Sequence, residues 1–362
     1  MPIFTSFVLT PRLHIKAHRR KDHIVYISQR PPTISIGPVD LEKAHRSGME
    51  DTANPTVSPL EELTRDNDFW LEDGSVVLVA KKTAFKVYKG FLSLHSPVFS
   101  DMFSSASHAD ETYDGCPVVR ISDSPEDLKW LLTHLIPRTL LHLEGGHHFK
   151  YPELSALARL GHKYQIDVLE RHAIGRLKNV FTNDVEQWEC QLCFRPSGYL
   201  SCDPIDTIHL ARLTKNPSML PLAFYIRAQN EDIIIDGQVR EDGTHMVLDK
   251  ADVKRCISGI RGLGQMSERA IQQTLLLVTS LEPCRTPSGC RSALDVMLDN
   301  ASQGSRIYLL EGLCDVVLSF TGCATCWQAI KRLRRDQRRE LWRKLPQIFG
   351  LQNELKGHWP GY

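Results

Sequence analysis

The stretch Val79–Phe103 reads VAKKTAFKVYKGFLSLHSPVFSDMF, and its period changes half-way. Ser75–Ala80 (SVVLVA), which leads into it, is short, continuous and β-branched, as a strand buried on both faces would be. After Lys81-Lys82-Thr83, Ala84–Lys89 alternates, with Phe85 and Val87 on one face and Lys86 and Tyr88 on the other. Two such strands with a short loop predict a hairpin, and Gly90 ends its pattern. From Phe91 the spacing is helical, with Phe91, Leu94 and His95 on one face. Ser96-Pro97 restarts the helix, because Ser is a good N-cap and Pro suits the first helical position. Val98, Phe99, Met102 and Phe103 form the apolar stripe of this second short helix.

Further along, Pro117–Ile121 (PVVRI) reads as a strand. Ser124-Pro125-Glu126-Asp127 is a helix start, with an N-cap, Pro at the next position and acids in the first turn. Leu128, Leu131, Leu132 and Leu135 continue that helix, and Pro137 lies beyond its end. Leu141–Phe149 (LHLEGGHHF) reads as a solvated His-rich loop rather than a metal site. Leu154, Leu157 and Ala158 begin another helix, and Asp167 caps its successor through Leu169, Ala173, Arg176 and Leu177. The predicted order is β-β-α-α-β-α-α-α, a small α+β domain with helical hairpins around a short sheet.

Three separated blocks carry a resemblance. FWLEDGSVVLVAKKTAFKVYKGFLSLHSPVFSDMF, DGCPVVRISDSPEDLKWLL and LARLGHKYQIDVLERHAIGRL, in that order, resemble a BTB/POZ domain, and more narrowly that of fungal BTB-domain proteins. The resemblance covers about Asp68–Lys178. Tyr88 stands where that pattern usually has His. The resemblance implies a protein-interaction module that binds itself, another partner, or cullin-3 as a ubiquitin-ligase adaptor. Many BTB domains exchange an N-terminal strand and helix; here only Leu60–Asp68 separates a Pro-rich segment from the core, which argues against that dimer. Cullin-binding members often carry a hydrophobic-x-Glu motif, matched here by Ala109-Asp110-Glu111 with a poor anchor. The residues expected to meet a partner are Phe91, Val98, Phe99, Met102 and Phe103, with Met102 and Phe103 the best placed for exposure. The competing reading puts Val98, Phe99, Met102 and Phe103 in the core.

From Trp188 the pattern turns mainly helical. Helices are expected at Ile205–Leu213, Leu220–Arg227, Arg269–Leu281, Ser292–Leu298, Leu309–Phe320 and Gln328–Leu345, with a strand at Ile233–Val239. Leu248–Asp252 reads as a loop followed by a capped helix. The resemblance extends to the tail of the same fungal proteins through CISG (Cys256–Gly259) and RELWRKLPQIFGL, without implying a chemistry. The expected organisation is an N-terminal tail at 1–65, the BTB/POZ domain at 66–180, a mainly α-helical C-terminal domain at 181–350 and a short tail at 351–362.

Four cysteines of that half carry a chemical hypothesis. Cys284 and Cys290 (C-x5-C) with Cys323 and Cys326 (C-x2-C) supply two spaced thiol pairs, the donor set of a structural zinc site. Cys323 opens a helix, where free amides favour thiolate. The alternative is four reduced thiols without metal. Cys190 and Cys193, with Cys202 and His209 downstream, lack a well-spaced fourth ligand. Lys331–Lys344 (KRLRRDQRRELWRK) is basic, but Asp336 and Glu340 interrupt it and its apolar positions keep helical order, so a solvated helix face is favoured over a nucleic-acid surface.

Composition sets the limits. With 42% hydrophobic and 24% charged residues in 362, the chain has the make-up of globular domains. A net charge of +1 gives no support to a nucleic-acid or membrane-surface partner. No apolar run reaches membrane-spanning length. The basic start MPIFTSFVLTPRLHIKAHRRK admits a transit peptide, but Pro2 and Pro11 interrupt it and a poorly ordered tail is favoured. Ten cysteines without a secretory signal read as reduced thiols. No Gly-rich phosphate loop, nucleophile elbow or HExxH occurs, and the close glycines of Gly259–Gly264 lack a strand-then-helix setting, so no enzyme is expected. The expectation is a cytoplasmic or nuclear interaction protein, with a cullin-3 adaptor or a transcription-linked protein using the basic helix as rivals.

Overall fold

A strand with no apolar alternation lies at one edge of the sheet. The computed structural model describes residues 17–20, 23–26, 60–105, 111–136, 149–194, 202–240, 242–280, 284–302, 310 and 320–360. Residues 1–57 and 58–362 are separate compact units. In the first, β1 (Ala17–Arg20) pairs antiparallel with β2 (His23–Tyr26). In the second, β3 (Thr64–Trp70), β4 (Val76–Ala80), β5 (Thr83–Val87), β6 (Thr112–Tyr113) and β7 (Cys116–Ile121) form a sheet in the order β3-β5-β4-β7-β6.

The central strand β4 is buried at every position, which is why VVLVA is continuously apolar. It forms an antiparallel hairpin with β5, closed at Lys81, whose φ of 51° is left-handed. Parallel pairing of β4 with β7 follows the crossover through α1 (Lys89–His95) and α2 (Pro97–Ser105). β3 begins at Thr64, ahead of Asp68 where the resemblance begins, and pairs parallel with β5. Its sequence TRDNDFW buries only Phe69 on the main core, so no period of two betrays it.

α3 (Pro125–Leu135), α4 (Tyr151–Lys163) and α5 (Asp167–Val180) follow. Ser124 caps α3 as its sequence predicts, its Oγ accepting the Asp127 amide at 3.1 Å. Leu128, Leu131, Leu132 and Leu135 fall on the core with Leu78, Phe85 and Phe99. The expected loop at 141–149 lies outside the described residues except for Phe149.

The C-terminal region comprises α6 (Val185–Phe194), α7 (Pro204–Leu213), α8 (Leu220–Arg227), α9 (Glu231–Asp236), the hairpin of β8 (Gln238–Val239) and β9 (His245–Met246), then α10 (Lys250–Ser280), α11 (Pro287–Ser302), α12 (Ala324–Ile348) and α13 (Gln352–Leu355). The strand expected at Ile233–Val239 is corrected: Ile233–Asp236 continue a helix, Gly237 turns at φ 75°, and only Gln238–Val239 are extended. The helix expected at Arg269–Leu281 is the end of the 31-residue α10. The one expected at Leu309–Phe320 lies outside the described residues apart from Leu310 and Phe320.

α4 and α5 serve two cores. Leu160, Tyr164 and Ile166 pack on the sheet side. Leu154, Leu157, Ala173 and Leu177 pack with α7, α8, α10 and α12 in one larger apolar cluster. No linker therefore separates the two regions at 180. The tail expected at 351–362 is also corrected: through residue 360 it is structural, with Leu351, Leu355 and Trp359 buried. Trp359 stacks on Trp342 at 5.1 Å and its Nε1 donates to the Trp342 carbonyl at 3.1 Å. Glu354 accepts from Arg212 at 3.1 Å and from Arg255 at 3.0 Å, the same arginines that hold buried Asp252. Among the described residues no helix is long and apolar enough to cross a membrane.

Candidate interaction surface and candidate metal centre

Ser96 divides the opening stretch. Its Oγ accepts the Phe99 amide at 3.0 Å, capping α2, and donates to the Tyr164 carbonyl at 2.7 Å, which ties the break in the helix to α4. Phe99 stacks on Tyr164 at 4.2 Å and on Phe103 at 5.7 Å. Both phenylalanines are buried, so the expectation that they meet a partner is corrected. They are four residues apart and share the inward face. Val98 and Met102, one position earlier, form the adjacent stripe and are half-buried at the edge of the core, as is Phe91. Leu92 carries the inward contact of α1, and Leu94, expected on that face, is 78% exposed. Nothing in the local spacing signals this, because Phe91, Leu92, Leu94 and His95 supply more apolar faces than one core can cover.

The four cysteines converge. Cys284 precedes α11, Cys290 lies in its first turn, Cys323 is the N-cap of α12 and Cys326 lies in that helix's first turn. All four Sγ atoms lie within 4.8 Å of one another, with Cys284–Cys326 at 3.6 Å and Cys284–Cys323 at 4.0 Å. Those separations exceed a disulfide, about 2.05 Å. They match the roughly 3.8 Å between sulfurs of a tetrahedral site with metal–sulfur bonds of about 2.3 Å. The Cys323 amide points at Cys290 Sγ at 3.2 Å. The amide of Cys326, with that of Arg285, holds the Cys323 thiol down to about 6, and the Cys323 amide lowers Cys290. Burial pushes Cys284 and Cys326 up. Two helix N-termini thus face one cluster of thiols, an arrangement that stabilises negative charge. Phe320, Leu294 and Ile330 enclose it, and Gly322 has no room for a side chain, since a β-carbon there would lie 2.2 Å from the Phe320 ring. Cys190, Cys202 and His209 form no such cluster among the described residues.

Part of the basic helix is used in packing. Arg338 is 5% exposed and bonds Glu189 at 2.9 Å, Arg339 pairs with Glu186, and Lys344 with Glu340. Burial lowers the pKa of Arg334. Arg338, Arg339 and Lys344 are held by carboxylates, whereas Arg332, Arg335 and Arg343 are exposed.

Residues 72–179 match the BTB/POZ domain family. They form a BTB/POZ domain. The fold agrees with that assignment: a small curled sheet with helical hairpins, followed by a helical C-terminal region. No curated protein matches the chain. Within the BTB/POZ domain, Tyr88 at the departure from the usual pattern is half-exposed and donates to Asp73 at 2.6 Å. Of the hydrophobic-x-Glu match, Ala109 and Asp110 lie outside the described residues, and Glu111 accepts a bidentate pair from Arg120 at 2.6 and 3.0 Å. That pairing lowers the Glu111 pKa and occupies its carboxylate.

Proposed function

We propose that the chain is a protein-interaction protein that presents the outer face of α1 and α2 to a protein partner and uses zinc to hold its C-terminal helices together. A BTB/POZ domain indicates protein–protein interaction. The observation that carries the choice of surface is Leu94, a large apolar side chain 78% exposed beside half-buried Phe91, Val98 and Met102. An exposed apolar cluster on a rigid element is the kind of surface that anchors a partner. Zinc would be tetrahedral on Cys284, Cys290, Cys323 and Cys326, joining the start of α11 to the start of α12 across a long sequence separation. Its role is structural, since four protein ligands leave no open position.

The partner is a second copy of the chain or cullin-3. Occupation of Glu111 by Arg120 weighs against a cullin contact through the expected motif, and the chain's net charge of only +1 weighs against a nucleic-acid role. The test is molar mass by light scattering together with cullin-3 capture, for the natural chain and for Leu94→Asp combined with Met102→Asp. A dimer or a captured cullin, lost in the variant while the melting temperature holds, is the expected result. A monomer that captures no cullin-3 at micromolar concentration, or a variant that behaves as the natural chain, removes this surface from consideration.

A further inference from the structure

The four thiols at the starts of α11 and α12 are of two kinds. Cys290 and Cys326 are buried, whereas Cys284 and Cys323 are half-buried and reach solvent. Behind the buried pair the wall is apolar, made by Leu294, Ile330 and Phe320. Gly322 closes it, since a β-carbon there would press on both the Phe320 ring and the Cys290 sulfur. An oxidant arriving from water therefore meets Cys284 and Cys323 before the other two.

The accessible pair is also a pair between helices. Cys284 precedes α11 and Cys323 caps α12, 39 residues further along, with their sulfurs 4.0 Å apart. A disulfide leaves about 2 Å of that separation to be closed. Cys284 stands in irregular backbone ahead of Pro287, where it can adjust without breaking a helical hydrogen bond. Cys326 is nearer to Cys284, at 3.6 Å, but it lies in the first turn of α12 and is wholly buried with Leu294 and Ile330.

We propose that Cys284 and Cys323 are an oxidation site, at which a hydroperoxide forms a disulfide that bridges α11 to α12 and ends metal binding by the four cysteines. The inference rests on the zinc reading for the metal it displaces, but not for the disulfide. In the first step the Cys323 sulfur attacks one peroxide oxygen. The O–O bond breaks, hydroxide leaves, and the sulfur gives up two electrons to become a sulfenic acid. In the second step the Cys284 thiolate attacks that sulfur; the S–S bond forms and the S–O bond breaks, releasing a second hydroxide. Both hydroxides take protons from water, so one peroxide is reduced for each disulfide made. Cys290 and Cys326 then remain as two thiols where a structural zinc site needs four ligands. The bridge joins the same two helix starts that the metal would join, so a covalent tie replaces a coordinate one.

The test adds hydrogen peroxide in steps to the full chain, reduced and equilibrated with zinc. The chain carries Cys190→Ser, which removes an exposed thiol outside the cluster. A chromogenic chelator reads released zinc, and peptide mapping without reductant reads the disulfide. The expected result is about one zinc released and one Cys284–Cys323 disulfide formed per chain, for about one peroxide consumed. Dithiothreitol with added zinc returns the starting state. The same titration of chain stripped by a chelator separates the two readings. A chain that never holds zinc yet forms the Cys284–Cys323 bridge removes the metal and leaves the oxidation site standing. A chain that keeps its zinc, with these thiols unmodified in a large excess of peroxide, overturns the oxidation site and leaves the metal standing. A bridge between other members of the cluster, or sulfinic acid without a bridge, also overturns it.

Discussion

Phe99 of α2 lies almost flat on Tyr164 at the end of α4, with centroids 4.2 Å apart and planes 10° from parallel. That contact, with the Ser96 bond to the Tyr164 carbonyl, fixes the rotation of α2 about its own axis. Phe103 follows Phe99 inward, and the adjacent stripe of Val98 and Met102 is left at the surface.

Phe99→Ala will destabilise the chain by about 3–5 kcal/mol, because it removes a stacked aromatic and leaves a cavity in a fully packed site. Leu94→Ala, on the exposed side of the same helix pair, will stay within about 0.5 kcal/mol. Urea denaturation of both variants checks the pair. Equal effects would mean that the helix pair is rotated from the orientation described.

The four-thiol centre predicts about one zinc per chain by elemental analysis. Cys323→Ser with Cys326→Ser will release it and lower the melting temperature, and a strong chelator will do the same to the natural chain. A metal-free chain that melts at the same temperature with and without added zinc refutes the site.

Gly259 of α10 lies against the ring of Phe349, where a β-carbon would sit 2.0 Å from Cε1. Gly262 approaches Ile348 in the same way, at 3.2 Å. These glycines allow α10 to meet the end of α12 closely, which explains GIRGLG without a nucleotide. Gly259→Ala will cost about 1–3 kcal/mol by overpacking despite its better helix propensity. Thermal melting is the measurement, and added stability would contradict the close approach.

Asp203 gives a pH dependence of known sign. Its folded pKa is raised, so the folded state binds a proton more readily than the unfolded chain. The ionised carboxylate therefore lowers stability above its folded pKa, and the loss is relieved as the pH falls through that value. Asp203→Asn will be more stable than the natural chain at neutral pH, and the difference will shrink in acid. Melting curves from neutral to acidic pH measure the convergence. A gap that widens on acidification would show that the carboxylate is compensated in the fold.

Much of the BTB/POZ domain was legible because its signals are local. Ser124 and Ser96 cap where their spacing says, and VVLVA is buried along its whole length because a central strand has two covered faces. β3 was not legible: an edge strand with one buried residue needs no alternation, and its partner β5 lies beyond the intervening strand β4. The end of the chain was misread for a similar reason. Leu351, Leu355 and Trp359 are spaced apolar residues among polar ones, and only the presence of Trp342 makes a pocket for them.

The sequence by itself determined most elements of the α+β domain, the Ser96 and Ser124 caps and the four thiols, because each depends on residues near in the chain or on donor type alone. Only the tertiary structure decided which residues face out. Phe99, Phe103, Met102 and Leu94 are all apolar on helices with several apolar faces, and the packing of Tyr164 selects among them. The same holds for the cysteines, whose two pairs meet because α11 and α12 begin side by side. It holds most of all for Asp203, the cap of α7, whose second oxygen is buried without a hydrogen-bond partner. Burial and charge balance are properties of what surrounds a residue, and the surroundings come from parts of the chain far away in sequence.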